Sequence, residues 1–153
     1  MSQRALDGVK VLEFAFMGVT PTSTKVLGIN GATVIKVESI TKPEPLRSAG
    51  PFVDGIQSIE HSAEFANINN EKLGLSLNTK TAEGIEIARK LVAWADIVAD
   101  GFTTGAMARM GLGYEELKKI NPDVIMISCN TFGQTGPNAK AATTGINLTG
   151  ITG

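Results

Sequence analysis

Four short runs of β-branched and small apolar residues constrain this chain more than anything else in it. They are Val9-Lys10-Val11-Leu12-Glu13-Phe14, Ala32-Thr33-Val34-Ile35-Lys36-Val37-Glu38, Asp96-Ile97-Val98-Ala99-Asp100 and Val124-Ile125-Met126-Ile127-Ser128. Each has the length and composition of a strand. Between the first two, Met17 to Pro21 reads as a loop running into a helix, with Thr20 as cap and Pro21 in the first turn. That helix carries Val26, Leu27 and Ile29 and stops at Asn30-Gly31. Strand, helix and strand within so short a span predict a right-handed βαβ unit, and the whole pattern predicts strands 9–14, 32–37, 96–100 and 124–128 in one mainly parallel sheet.

The connecting segments fit an α/β fold of this kind. Residues 39–58, with Pro43, Pro45, Gly50, Pro51 and Gly55, read as a long loop. A short helix is expected over 59–67, and Leu73, Leu75 and Leu77 alternate like a strand with one buried face. Thr81 caps the best helix, 81–93, where Ile85, Ala88, Leu91 and Val92 recur at helical spacing. Further helices are expected over 104–110 and 114–120, the second stopped by Asn121-Pro122, with a last helical stretch after Thr144. The almost wholly apolar run 124–128 predicts a strand central in its sheet. Only eight of the 153 residues are aromatic, so the core must be built from aliphatic side chains.

Composition excludes several chemistries. With 14 Lys and Arg against 15 Asp and Glu, the chain has no broad basic face for nucleic acid. One Cys and one His rule out an internal disulfide, a cysteine zinc cluster and a His-rich metal site. No apolar run is long enough to span a bilayer and no signal-peptide core follows Met1, so a soluble cytoplasmic protein is expected. There is no GxxxxGK[ST] loop, no GxGxxG and no GxSxG elbow, so an unrelated Rossmann-type oxidoreductase rests on fold analogy alone. Cys129, after the fourth run, has no evident base partner and reads as an inert strand-end thiol; His61 reads as a surface or packed histidine.

A series of phrases lies in one order along the chain: Leu6-Asp7-Gly8-Val9-Lys10-Val11-Leu12-Glu13, Gly31-Ala32-Thr33-Val34-Ile35-Lys36-Val37-Glu38, and Lys72 to Gly84. Ala95-Asp96-Ile97-Val98, Met110-Gly111-Leu112-Gly113-Tyr114-Glu115-Glu116-Leu117, Asn121-Pro122 and Phe132-Gly133-Gln134-Thr135-Gly136-Pro137 follow. Together they resemble the N-terminal part of the class III CoA-transferases, relatives of formyl-CoA and carnitine-CoA transferases and of α-methylacyl-CoA racemases. The resemblance implies that 1–153 is an incomplete Rossmann-like CoA-binding N-terminal domain, lacking a second domain and the return of the chain. It also implies an interlocked homodimer at full length, and CoA or acyl-CoA as substrate with a carboxylic acid, no cofactor being permanently bound.

At the level of residues, Met17 and Gly18 match the family's loop beside the pantetheine and reactive centre, and Lys72 the lysine of its Asn-x-Asn-Lys phrase. Phe102 matches the phenylalanine of a Glu-Asn-Phe phrase whose asparagine is Gly101 here, and Arg109 matches a CoA-contacting arginine. Ser39 stands where an arginine is usual. On residue type alone Lys72 reads as a solvated strand-edge lysine and Arg109 as a solvated helix residue, although the phosphates of CoA want such donors. The family's catalysis uses an aspartate that attacks the thioester, giving a mixed anhydride and then an enzyme–CoA thioester. The resemblance places that nucleophile beyond Gly153, so no catalytic residue is expected here and the chain alone is expected to be inactive.

In the racemase branch a His and an Asp precede an Ile-Asn pair; before Ile146-Asn147 this chain has Thr144 and Gly145. Threonine is no base near neutral pH, which favours CoA transfer and leaves Thr144 as a substrate-lining or helix-capping residue. A non-catalytic CoA-binding or assembly module is the alternative reading.

Overall fold

In the computed structural model, which describes residues 3–141 and 145–152, the expected alternation becomes one sheet. Its strands are β1 (Lys10–Phe14), β2 (Thr33–Glu38), β3 (Lys72–Ser76), β4 (Ile97–Asp100) and β5 (Ile125–Ser128). They lie in the order β3-β2-β1-β4-β5, and every neighbouring pair is parallel. The helices are α1 (Val19–Ile29), α2 (Ala63–Asn69), α3 (Ala82–Trp94), α4 (Ala106–Arg109), α5 (Tyr114–Ile120) and α6 (Gly145–Thr152).

Register decides which residues share a face. Val34, Val11, Ile97 and Ile125 stand side by side, and the next row, Ile35, Leu12, Val98 and Met126, points the other way. The second row meets α3 and α5 in the main core, where Leu12, Val92, Val98, Leu112 and Leu117 are fully buried. The first row meets α1 through Leu27 in a smaller cluster with Val11, Ala32 and Val34. Thr81 caps α3 as expected, its Oγ1 accepting from the Gly84 N–H at 3.0 Å.

Three local expectations change. The strand at 124–128 is not central: β5 is a sheet edge, and Ile125 and Ile127 remain 58% and 36% exposed. Thr20 is not the cap of α1, which starts at Val19 behind Gly18; its hydroxyl instead reaches the Asp100 carbonyl at 3.3 Å. The helix expected over 59–67 begins at Ala63, because Ser62 caps it, accepting from the Phe65 N–H.

A strand order of this kind reverses between β1 and β4. In open parallel sheets the crevice outside the carboxyl ends at such a point is the natural ligand site.

Candidate functional site

The segments leaving β1 and β4 form that crevice. After Phe14 the backbone turns sharply: Met17 has φ 47° and Gly18 φ 65°, and the Met17 N–H is held by Glu44 Oε1 at 2.9 Å. After Asp100, Gly101 packs so close to the first segment that a Cβ there would lie 2.9 Å from Thr20 Oγ1 and 3.1 Å from Ala15 Cβ. A side chain at 101 would therefore require Thr20 or Ala15 to give way. Phe102 follows, its ring 5.6 Å from that of Phe16 at an interplanar angle of 53°.

This ring pair stands between two chambers of one trough. The first, of about 490 Å³, is lined by Met17, Gly18, Thr20, Phe102, Ser128, Cys129, Asn130 and Leu148 among others, and is mainly apolar. The second, of about 520 Å³, is lined by Ser39, Lys42, Lys80, Phe102, Arg109 and Met110 among others. Phe16, Gly101, Phe102 and Thr103 belong to both. An apolar slot opening into a cationic one suits a ligand with an uncharged arm and an anionic head.

Asp100 braces the trough from beneath. Its carboxylate accepts from the Phe102 N–H at 3.0 Å and from Ser128 Oγ at 2.5 Å, joining the ends of β4 and β5. Burial raises its pKa above the ordinary carboxylate value, with the Ser128 and Phe102 hydrogen bonds opposing.

Of the residues marked by sequence, Met17 and Gly18 share the apolar chamber with Phe102, and Phe102 shares the cationic chamber with Arg109 and Ser39. Lys72 is not brought to the trough. Its side chain is 2% exposed, and Nζ donates to Glu13 Oε2 at 2.8 Å, the Pro21 carbonyl at 2.8 Å and Asn69 Oδ1 at 3.0 Å. All three ammonium protons are used. Burial lowers its pKa, and Glu13 opposes the shift. Thr144 lies outside the described residues.

Sequence reading missed the cluster to which Lys72 belongs. Lys36 Nζ lies 2.9 Å from Glu13 Oε1, 2.8 Å from the Ala15 carbonyl and 2.7 Å from Glu44 Oε2. The Glu44 contact is a Coulombic pairing rather than an aligned hydrogen bond. Two carboxylates and two ammoniums thus balance inside the protein, and Glu44 passes the restraint on to Met17. The available signal was a charge set between apolar neighbours in each of two strands, Glu13 and Lys36, which face each other in register. Among the described residues no group of His, Cys, Asp and Glu is placed to hold a metal, and no helix is long and apolar enough to cross a membrane.

Residues 6–153 match CoA-transferase family III. The chain belongs to that family. It is 36% identical over 142 residues to mouse succinyl-CoA:glutarate CoA-transferase, covering 92% of this chain and 31% of the relative. It is also 36% identical over 138 residues to formyl-CoA:oxalate CoA-transferase of Escherichia coli, covering 89% of this chain and 32% of that one. The crystal structure of a CaiB/BaiF family protein from Brucella suis superposes with a TM-score of 0.88 at 38% identity, over 98% of this chain and 39% of that one. This family III chain therefore spans about a third of the length of its curated relatives.

Proposed function

We propose that this chain is the CoA-binding part of an acyl-CoA:carboxylate CoA-transferase, and that the trough at the carboxyl ends of β1 and β4 receives the CoA thioester. The observation that carries the reading is the two-chamber trough itself, at the topological switch point, in a chain whose relatives are CoA-transferases. The pantetheine arm lies along Met17, Gly18 and Phe102, and the phosphorylated end lies toward Arg109. Lys72 supports the site from within, through Glu13 and the Glu44 that holds Met17, rather than by touching the ligand.

In this reading, chemistry follows the family route. A carboxylate attacks the thioester carbonyl and CoA thiolate leaves, giving a mixed anhydride. The thiolate then returns to the enzyme acyl carbon, releasing the first acid and leaving an enzyme–CoA thioester for the acceptor carboxylate. The nucleophilic aspartate comes from outside these 153 residues, so the chain incubated alone with an acyl-CoA and carboxylic acids transfers nothing above background. The full-length protein is an interlocked homodimer.

Calorimetric titration of CoA into the protein and its Arg109→Ala variant tests the placement. Loss of one charge-assisted contact weakens binding by about 1.5–3 kcal/mol. Unchanged affinity removes Arg109 from the site.

A further inference from the structure

The carboxylate that holds Met17 comes from neither segment of the crevice, and it is itself fixed on several sides. Glu44 lies in the segment that follows β2 and is 1% exposed. Its Oε1 accepts the Met17 N–H at 2.9 Å, while Oε2 lies 2.7 Å from Lys36 Nζ. Its backbone is tied down as well. The Glu44 N–H donates to Glu38 Oε2 at 3.1 Å, and the Glu44 carbonyl accepts the Arg47 N–H at 3.0 Å. Arg47 Nε closes this ring by donating to Glu38 Oε1 at 2.8 Å, and its guanidinium lies 3.7 Å from the centre of the Phe65 ring of α2.

Met17 needs such a restraint. Its φ of 47° is a left-handed backbone that a residue with a side chain seldom adopts, and keeps only where its surroundings hold it. Gly18 follows, also at positive φ, and leads into α1 without a side-chain cap. Both residues line the apolar chamber, and Met17 is 47% exposed, so its own packing adds little. A hydrogen bond to a buried, charged acceptor is what sets this wall of the chamber. Glu44 lines neither chamber.

We propose that Glu44 is a positioning residue: without touching the ligand, it holds Met17 and Gly18 in the shape that receives the uncharged arm of the CoA thioester. The proposal rests on the CoA reading above and extends it to a residue outside the trough.

Calorimetric titration with CoA tests it, together with the NMR signal of the Met17 amide proton in the free protein. The samples are the unaltered chain, Glu44→Ala, Glu44→Asp and Val92→Ala, each checked for folding by circular dichroism. Glu44→Asp keeps the negative charge beside Lys36 but draws the carboxylate back by one methylene from Met17. Val92→Ala leaves a cavity in the main core at α3, lowering stability at a residue that lines neither chamber. In both Glu44 variants the Met17 proton moves upfield, and CoA affinity falls about tenfold because the turn must now be ordered on binding. Val92→Ala keeps the signal and the affinity of the unaltered chain, which a loss of stability alone would not allow. If the unaltered chain binds CoA and folded Glu44→Asp binds it equally well, the positioning role is overturned and the CoA reading stands. A Met17 proton that stays in place in both Glu44 variants, or an equal loss of affinity in Val92→Ala, overturns it too. If the unaltered chain binds no CoA, the CoA reading falls and this proposal with it.

Discussion

Replacing Lys72 by Met separates two accounts of this residue. A solvated lysine reaching for ligand phosphate can be removed at little cost, within about 0.5 kcal/mol. The structure makes a different demand. Met fills similar space but removes one of two ammoniums from a cluster containing Glu13 and Glu44, leaving it with net negative charge inside the protein. Among the described residues Glu13 Oε2 then keeps only the Thr24 hydroxyl as partner, and the Pro21 carbonyl and Asn69 Oδ1 lose the Lys72 donor. Breaking a buried pair in this way costs about 3–5 kcal/mol. For a domain of this size that lowers the melting temperature by roughly 6–20 °C. Urea denaturation followed by far-UV circular dichroism and by the fluorescence of Trp94, the single tryptophan, measures it. A double-mutant cycle with Glu13→Gln should show coupling above about 1 kcal/mol. A folded Lys72→Met protein within about 1 kcal/mol of the original would refute the buried-pair account.

Two other perturbations probe the trough. Gly101→Asn forces its Cβ against Thr20 Oγ1 and Ala15, so calorimetric unfolding should show a loss of about 1–3 kcal/mol, smaller when Thr20→Ala is also present; unchanged stability of the single variant contradicts the packing argument. Asp100, whose folded pKa is raised by burial, should contribute stability that increases as pH falls through that raised value toward the ordinary carboxylate value. Relative to Asp100→Asn, the unaltered chain should therefore gain stability on acidification across that window. Urea midpoints from pH 7 to 4 that move the other way would sink the assignment.

Much of the architecture was legible in the sequence because a parallel sheet buried on both faces writes itself as apolar runs. The 32–38 run and the Thr81 cap are read correctly for that reason, local chemistry being enough. The 124–128 run misleads by the same logic: apolar content says that a strand expects cover, not that a helix of this chain supplies it. Met17, Gly18 and Phe102 come together only through the strand order that sets β4 beside β1, which spacing along the chain does not reveal. The reversal of Lys72 from surface donor to buried cation has a similar cause. Its partner Glu13 lies 59 residues away, and the pairing depends on register across three strands.

The central claim is that CoA occupies the trough between the ends of β1 and β4, and backbone amide chemical-shift mapping with CoA tests it most directly. The account predicts saturable shifts concentrated at 16–18, 39–42, 78–80 and 101–110, with Lys72 and its buried neighbours shifting little. Absence of saturable shifts, or shifts confined to the opposite end of the sheet around Asp7, Asn30 and Asn121, would contradict it.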